Sequence, residues 1–389
     1  AMFMLAFGFG FGAQIIIARR NGERRYNRIG PTMIQGCYFM LALAVVLFTA
    51  SQYFSPIILR DIIESPQVYD ATADYLHWRT YGIFFSFLCV MFRAYYVGIT
   101  QTKILTINSV VMLLSNVVLN YCLIFGKGGF PVMGIAGAAI ASSVSEAVSL
   151  LFFIIYTGTT ADKRKYGFRR AFTFRPHLLK GMLSISGWTM VQSFISVSIW
   201  FIFFLAIEHL GERPLAVTNI VRNISALLIM VISAFATTAG ALISNQIGAG
   251  EQRYLFRTCG MTLNLTYAIL VPLLVILCLF PEPVLRVFTD NPSLIAASIN
   301  SVYVMSTSTL IMAPAFILFN AVSGTGNTKA GFIMEMISLT VYTAAVYYIV
   351  IRLKPDVALC WFSEHVYGIA LIALAWWYLK SGKWRGKKV

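Results

Sequence analysis

Five charged residues interrupt stretches of sequence that are otherwise apolar. They are Arg93, Glu146, Arg222, Glu335 and Glu364. A charge that is transferred from water into an apolar environment costs several kcal/mol unless it is paired, and such residues commonly bind or move ions. Each of the five is therefore a candidate for a functional role.

Glu335 is the strongest of these candidates. In a helix predicted over 330–351 it shares a face with Ser338 and Tyr342, at spacings of three and seven residues. A carboxyl group in such a place favours its neutral form, so proton uptake and release can follow the conformation of the protein. We predict that Glu335 is an ion-coupling acid, with Ser338 and Tyr342 beside it.

A second interpretation of Glu335 stays open. It can form a fixed ion pair or hydrogen bond with Arg222, which Asn219 and Asn223 flank in a helix predicted over 216–245. The two interpretations do not exclude one another.

Polar side chains also follow one face of a helix predicted over 183–207. Thr189, Gln192, Ser193 and Ser196 recur at helical spacing, which fits either the lining of a watery cavity or hydrogen bonds to neighbouring helices. We predict that a substrate cavity is lined by these residues: Gln192, Ser196, Arg222, Asn219, Asn223, Arg93 and Glu146.

Other residues of interest lie elsewhere in the predicted helices. Arg93 and Glu146, in helices predicted over 80–100 and 133–156, fit structural roles as well. Glu364 falls within two turns of the end of the last helix, where its side chain can reach the membrane surface. Pro314 lies in the middle of its span, and because proline lacks a backbone donor we predict a hinge there.

The composition indicates what positions these residues. Of 389 residues, 58% are hydrophobic and only 12% are charged, and the mean hydropathy is +0.76. Soluble domains are usually about one quarter charged, so a water-soluble globular fold is excluded. Helices of about 20 apolar residues cross roughly 30 Å of hydrocarbon. Eleven such spans are predicted, over 1–18, 31–52, 80–100, 104–125, 133–156, 183–207, 216–245, 259–280, 298–322, 330–351 and 358–379.

The patterns that enzymes and metal sites require do not stand out. The six cysteines form no CxxC pair, the four histidines are scattered, and residues 324–329 do not follow the order of a P-loop. We expect no enzymatic activity, no metal and no cofactor.

The net charge of +15 is distributed by loop. Basic residues concentrate in alternate loops and in the C-terminal tail, and the intervening loops are net negative. This asymmetry predicts that the basic loops and the C-terminus are cytoplasmic, and it indicates no nucleic-acid partner. The basic connector over 157–182 and the tail could also contact anionic lipid headgroups.

The chain contains an internal repeat at a separation of 226 to 228 residues. Gly98 aligns with Gly324, and Gly22-Glu23 aligns with Gly250-Glu251. Corresponding helices are an even number of spans apart, which predicts two parallel lobes related by a pseudo-twofold axis along the membrane normal.

The predicted divisions are an N-terminal lobe over 1–156, a basic cytoplasmic linker over 157–182, a C-terminal lobe over 183–380 and a basic tail over 381–389. The helix over 183–207 has no counterpart in the first half, so we expect a further helix upstream of residue 1, giving lobes of six and six helices in place of five and six.

Three short motifs resemble the multidrug and toxic compound extrusion family. They are Gln246 to Glu251, Gly134 to Ala141, and Gly324 to Thr328, and the resemblance extends from residue 1 to about 380. It implies two lobes of helices around a central cavity. It also implies export of organic cations or other toxic amphiphiles in exchange for protons or sodium ions.

This chain departs from the pattern of sodium-coupled members, because no acidic residue lies before Glu208 in the helix over 183–207 or in the helix around Pro314. The implied protein is a monomer in the bacterial cytoplasmic membrane that uses an ion gradient as its energy source. The alternatives are a flippase for a lipid-linked oligosaccharide or cell-wall precursor, which requires a strongly cationic cavity, and a channel or structural membrane protein.

Overall fold

The computed structural model describes residues 2–63, 65–353 and 356–386, and α-helices form nearly all of them. The last three residues of the predicted tail lie outside the described residues, as does the basic residue Lys354. The helices are α1 (Met2–Gly22), α2 (Ile29–Ile62), α3 (Pro66–Gly98), α4 (Lys103–Phe125), α5 (Gly134–Thr160), α6 (Pro176–Glu208), α7 (Glu212–Gly248), α8 (Leu255–Leu279), α9 (Pro281–Arg286), α10 (Pro292–Gly324), α11 (Thr328–Val346), α12 (Val357–Cys360) and α13 (Phe362–Ser381).

Eleven helices in the described part of the chain are long and apolar enough to cross a membrane, which confirms the eleven predicted spans. Several helices extend beyond the predicted ranges. The helix predicted over 80–100 begins at Pro66, and the helix predicted over 31–52 continues to Ile62. Charges at helix ends explain the difference, because a charged residue can extend a helix outside the hydrocarbon without entering it.

The repeat is visible in the helix boundaries. Helices α3 and α10 both begin at a proline, at positions 66 and 292, and both end at a glycine, at positions 98 and 324. Proline suits the first turn of a helix because the missing N–H has no helical partner there. The final glycines allow close helix crossings, since a Cβ on Gly324 would overlap the backbone oxygen of Gly240 in α7 and a Cβ on Gly98 would crowd Ile17 in α1.

The described chain divides into two compact units. The first comprises Met2–Ser184, in which α3 packs against α1, α2 and α5. Its core includes a stack of aromatic rings, with Phe92 and Phe153 separated by 5.4 Å between ring centroids. The second unit begins at Ile185, and its central helix is α10, which contacts α7, α8, α11 and α13.

The basic segment between α5 and α6 is folded against the first unit. The side chain of Gln35 donates to the carbonyl of Thr173 at 2.9 Å and accepts from the backbone N–H of Arg175 at 2.9 Å. Tyr38 donates to the carbonyl of Phe172 at 2.8 Å. Backbone N–H groups of Lys165 and Arg164 lower the pKa of the Asp162 carboxyl group, which begins the segment. The contacts of Gln35 and Tyr38 attach the end of this segment to α2.

Candidate functional site

Glu335 lies in the interior of the second unit, where its side chain receives hydrogen bonds from two other helices. It is 3% exposed. Ser196 of α6 donates to its Oε1 at 2.7 Å, and Tyr367 of α13 donates to the two carboxylate oxygens at 2.9 and 3.1 Å. The structure therefore joins α6, α11 and α13 at one carboxyl group.

Glu364 is a second buried acid in the same unit, at 8% exposure. Tyr342 of α11 donates to its Oε1 at 2.9 Å. The rings of Tyr342 and Tyr367 meet edge to face, with 5.8 Å between their centroids. Each acid thus has its own tyrosine donor, and the two tyrosines contact one another.

The predicted alternative for Glu335, a bond to Arg222, is wrong. The guanidinium of Arg222 lies 5.0 Å from the ring centroid of Phe204 in α6. In the part of the chain that the structure describes, neither Glu335 nor Glu364 forms an ion pair. The aromatic ring attracts the cation in place of the carboxylate.

Hydroxyl partners allow the two acids to keep a hydrogen bond in both protonation states, whereas a basic partner would favour the charged form alone. A serine or tyrosine hydroxyl can donate to a carboxylate and accept from a protonated carboxylic acid. Ser196 has a second acceptor as well, the carbonyl of Gln192 at 2.9 Å, so it can leave Glu335 without losing all its hydrogen bonds. The contacts around Glu335 are consequently compatible with both its charged and its neutral forms.

The two predicted companions of Glu335 have different surroundings. Tyr342 lies on the predicted side of α11 and is buried, but it donates to Glu364. Ser338 is fully buried, and its hydroxyl has no hydrogen-bond partner among the described residues.

The residues predicted to line a substrate cavity are divided between the units. In the second unit, Gln192, Asn219 and Arg222 are half-buried and Asn223 is exposed. Ser196, another residue of the predicted set, is the one that donates a hydrogen bond to Glu335 among the described residues of that set.

In the first unit, Glu146 is paired with a base. Arg79 of α3 donates to both of its carboxylate oxygens, at 3.0 and 2.7 Å. A Cβ on Gly82, one turn after Arg79, would overlap both charged groups, so glycine leaves the space that the pair occupies. Arg79 and Glu146 line a cavity of about 230 Å³. Arg93, which is exposed, lines it as well.

Pro314, where a hinge is predicted, lies inside α10. Proline at this position leaves the carbonyl of residue 310 without a helical donor. Tyr267 of α8 donates to that carbonyl, at 2.8 Å. The helix therefore keeps its backbone groups satisfied at the proline.

Sequence reasoning missed Arg79 and Tyr367, and it misplaced Glu364. Arg79 was assigned to a loop because α3 was predicted to begin at residue 80. Glu364 was expected at the membrane surface and is buried instead. Tyr367 gave no signal, although it lies one turn after Glu364 and the pair could have indicated a polar face.

Among the described residues, no three His, Cys, Asp or Glu side chains lie close enough together to hold a metal ion.

Comparisons with known proteins identify the family. The MatE family model matches residues 1–122 and 189–349. A probable multidrug resistance protein NorM of Thermotoga maritima is 24% identical over 391 residues, covering 97% of this chain and 81% of that protein. The match therefore includes both units.

Solved structures agree with the fold. A MOP superfamily transporter from Pyrococcus furiosus, described as having a binding pocket of reverse polarity, superposes with a TM-score of 0.89 at 19% identity, covering 98% of this chain and 85% of that one. An outward-facing multidrug resistance MATE family transporter superposes with a TM-score of 0.90 at 18% identity, covering 98% and 86%. These likenesses show the fold, and the family model shows the descent: the chain belongs to the MatE family.

Proposed function

We propose that this protein is a secondary active exporter that exchanges organic cations or other toxic amphiphiles for protons or sodium ions, with Glu335 as the coupling acid. The observation that carries the proposal is the environment of Glu335, a carboxyl group that is 3% exposed, has hydroxyl donors, and forms no ion pair with a described residue. The names of the relatives, which are multidrug resistance proteins, support the substrate class.

The chemistry follows from the opposing effects on Glu335. Burial disfavours its charged form, and the hydrogen bonds from Ser196 and Tyr367 favour it. An acid with such opposing effects can change its protonation when a conformational change alters either one. Binding a proton on one side of the membrane and releasing it on the other would couple the gradient to export.

We further propose that the protein acts as a monomer in the bacterial cytoplasmic membrane, with its basic loops and C-terminus in the cytoplasm. The support is the loop asymmetry of charge, together with the eleven apolar helices.

The test is efflux of a fluorescent organic cation from vesicles that contain the protein, under a proton gradient or a sodium gradient. Glu335→Gln, which resembles the neutral acid, should abolish gradient-driven efflux. Glu282→Gln is the matched control, because Glu282 is an exposed acid that pairs with Arg286. Equal efflux by Glu335→Gln and the wild type would remove Glu335 from the mechanism, and the gradient that drives efflux would identify the coupling ion.

A wild type that exports no cation under either gradient would contradict the proposed function. Translocation of a lipid-linked oligosaccharide by that protein would then favour the flippase.

A further inference from the structure

Glu364 occupies a buried position that the coupling role of Glu335 does not require. It begins the last long helix, where its side chain could have reached the membrane surface. Instead it turns inward, is 8% exposed, and accepts a hydrogen bond from Tyr342 of α11. A buried acid that keeps only neutral donors is costly to hold as a charged group.

No described base compensates that cost. Helix α10, which packs against α13, contains no Asp, Glu, Lys, Arg or His between its ends. Helix α11 presents Tyr342 and Glu335, and α7 presents Arg222, which lies over Phe204. On α13 itself, His365 hydrogen-bonds Thr307 of α10 at 2.9 Å, and Tyr367 donates to Glu335.

The partners of Glu364 fit a proton better than a metal cation. A sodium ion would need several oxygen lone pairs directed toward it, as hard cations generally do. The hydroxyl of Tyr342 instead directs its hydrogen atom at the carboxylate. Binding a proton forms one O–H bond on the carboxylate, and the release of that proton to water reverses the step without a co-reactant.

We propose that Glu364 is a second proton-binding carboxyl group, filled and emptied in the same cycle as Glu335, so that each transport cycle exchanges two protons. This inference rests on the proposed antiport for its place in a cycle. The contact between the rings of Tyr342 and Tyr367 connects the two acids. Tyr342 donates to Glu364, and Tyr367 donates to Glu335.

Infrared difference spectroscopy of the purified protein during a pH titration tests proton binding without any substrate. The carbonyl stretch of a protonated carboxyl group is a separate band for each buried acid. We expect Glu364→Gln to lose one band of the wild-type spectrum and Glu335→Gln to lose a different one. A Glu364→Gln spectrum identical to the wild type would overturn the proposal.

Two conservative variants keep the test valid if a glutamine variant fails to fold. Tyr342→Phe removes the donor to Glu364, and Tyr367→Phe removes the donor to Glu335. Each should shift a different one of the two bands, because the hydrogen bond to an acid changes its carbonyl frequency. A shift of the same single band by both variants would mean that Glu364 does not bind a proton.

The number of protons per cycle separates this inference from the proposed function. With the membrane potential held at zero, the substrate ratio at which net flux stops depends on the pH difference with a slope equal to that number. The slope should be two for the wild type, and one for any Glu364→Gln protein that still transports. A wild-type slope of one would overturn the second site and keep the antiporter, whereas flux that ignores both gradients would contradict the antiporter itself.

Discussion

The hydroxyl of Tyr267 donates a 2.8 Å hydrogen bond to the carbonyl of Leu310, the backbone oxygen that Pro314 deprives of its helical donor. The contact joins α8 to the middle of α10, the central helix of the second unit. It replaces an interaction within one helix by an interaction between two helices.

We expect Tyr267→Phe to destabilise the protein by about 1 kcal/mol, the usual net contribution of one such hydrogen bond. The loss should vanish in the background of Pro314→Ala, where alanine supplies the backbone donor again. Thermal unfolding of the four proteins in the double-mutant cycle measures this coupling. Equal losses in both backgrounds would show that the hydroxyl of Tyr267 does not replace the missing helical bond.

Removing one partner of the Arg79–Glu146 pair should be costly. Their side chains are only 21% and 9% exposed, so Arg79→Gln leaves a buried carboxylate without its base. Losses of about 3–5 kcal/mol are typical for fully buried pairs, and the partial exposure of Arg79 places the expected loss at or below the lower end.

The double variant Arg79→Gln with Glu146→Gln should recover most of that loss, since no charge then stays unpaired. Arg286→Gln is the control, because the pair that Arg286 forms with Glu282 is exposed and should contribute less than about 1 kcal/mol. Thermal denaturation in detergent compares the variants. If Arg79→Gln were as stable as Arg286→Gln, burial of the Arg79–Glu146 pair would not increase the cost of breaking it.

Because α7 and α10 cross closely at Gly324, alanine substitutions at Gly324 and at Gly187 should affect stability differently. Gly324→Ala should destabilise the second unit strongly, because its Cβ would overlap the backbone oxygen of Gly240, which can move only if the helices separate. Gly187→Ala should be neutral or stabilising by up to about 1 kcal/mol, since nothing lies within 4 Å of a Cβ there and alanine favours a helix. Unfolding temperatures that fall equally in both variants would contradict the crossing.

The attachment of residues 162–175 depends on Gln35. Gln35→Leu keeps the size of the side chain but removes the bonds to Thr173 and Arg175. We expect faster cleavage by trypsin after the basic residues of this segment, measured against Gln101→Leu, in which an exposed glutamine is changed. Unchanged cleavage would mean that the other contacts of the segment suffice.

The spans could be predicted from the sequence because they depend only on local composition. A run of apolar residues long enough to cross the hydrocarbon is visible without knowing its neighbours. The same reasoning selected Glu335, since an acid in an apolar run is conspicuous. It misplaced Arg79, because a charge near a helix end does not show whether the helix continues past it.

The partners of the buried acids could not be predicted in this way. Ser196 is 139 positions from Glu335, and only the packing of α6 against α11 brings them together. The internal repeat gives no help either, because the residues 226 positions before Glu335 and Glu364 are Ser109 and Ala138. The two acids are present in only one half of the repeat, so its symmetry carries no information on them.

The attachment of the basic segment to the first unit has a consequence for how the two units are tethered. The boundary between them falls inside α6, between Ser184 and Ile185, well after the segment that Gln35 holds. The polar connector therefore belongs to the first unit, and the chain crosses from one unit to the other within a continuous helix. Residues inserted between positions 162 and 170 would enlarge a loop of the first unit.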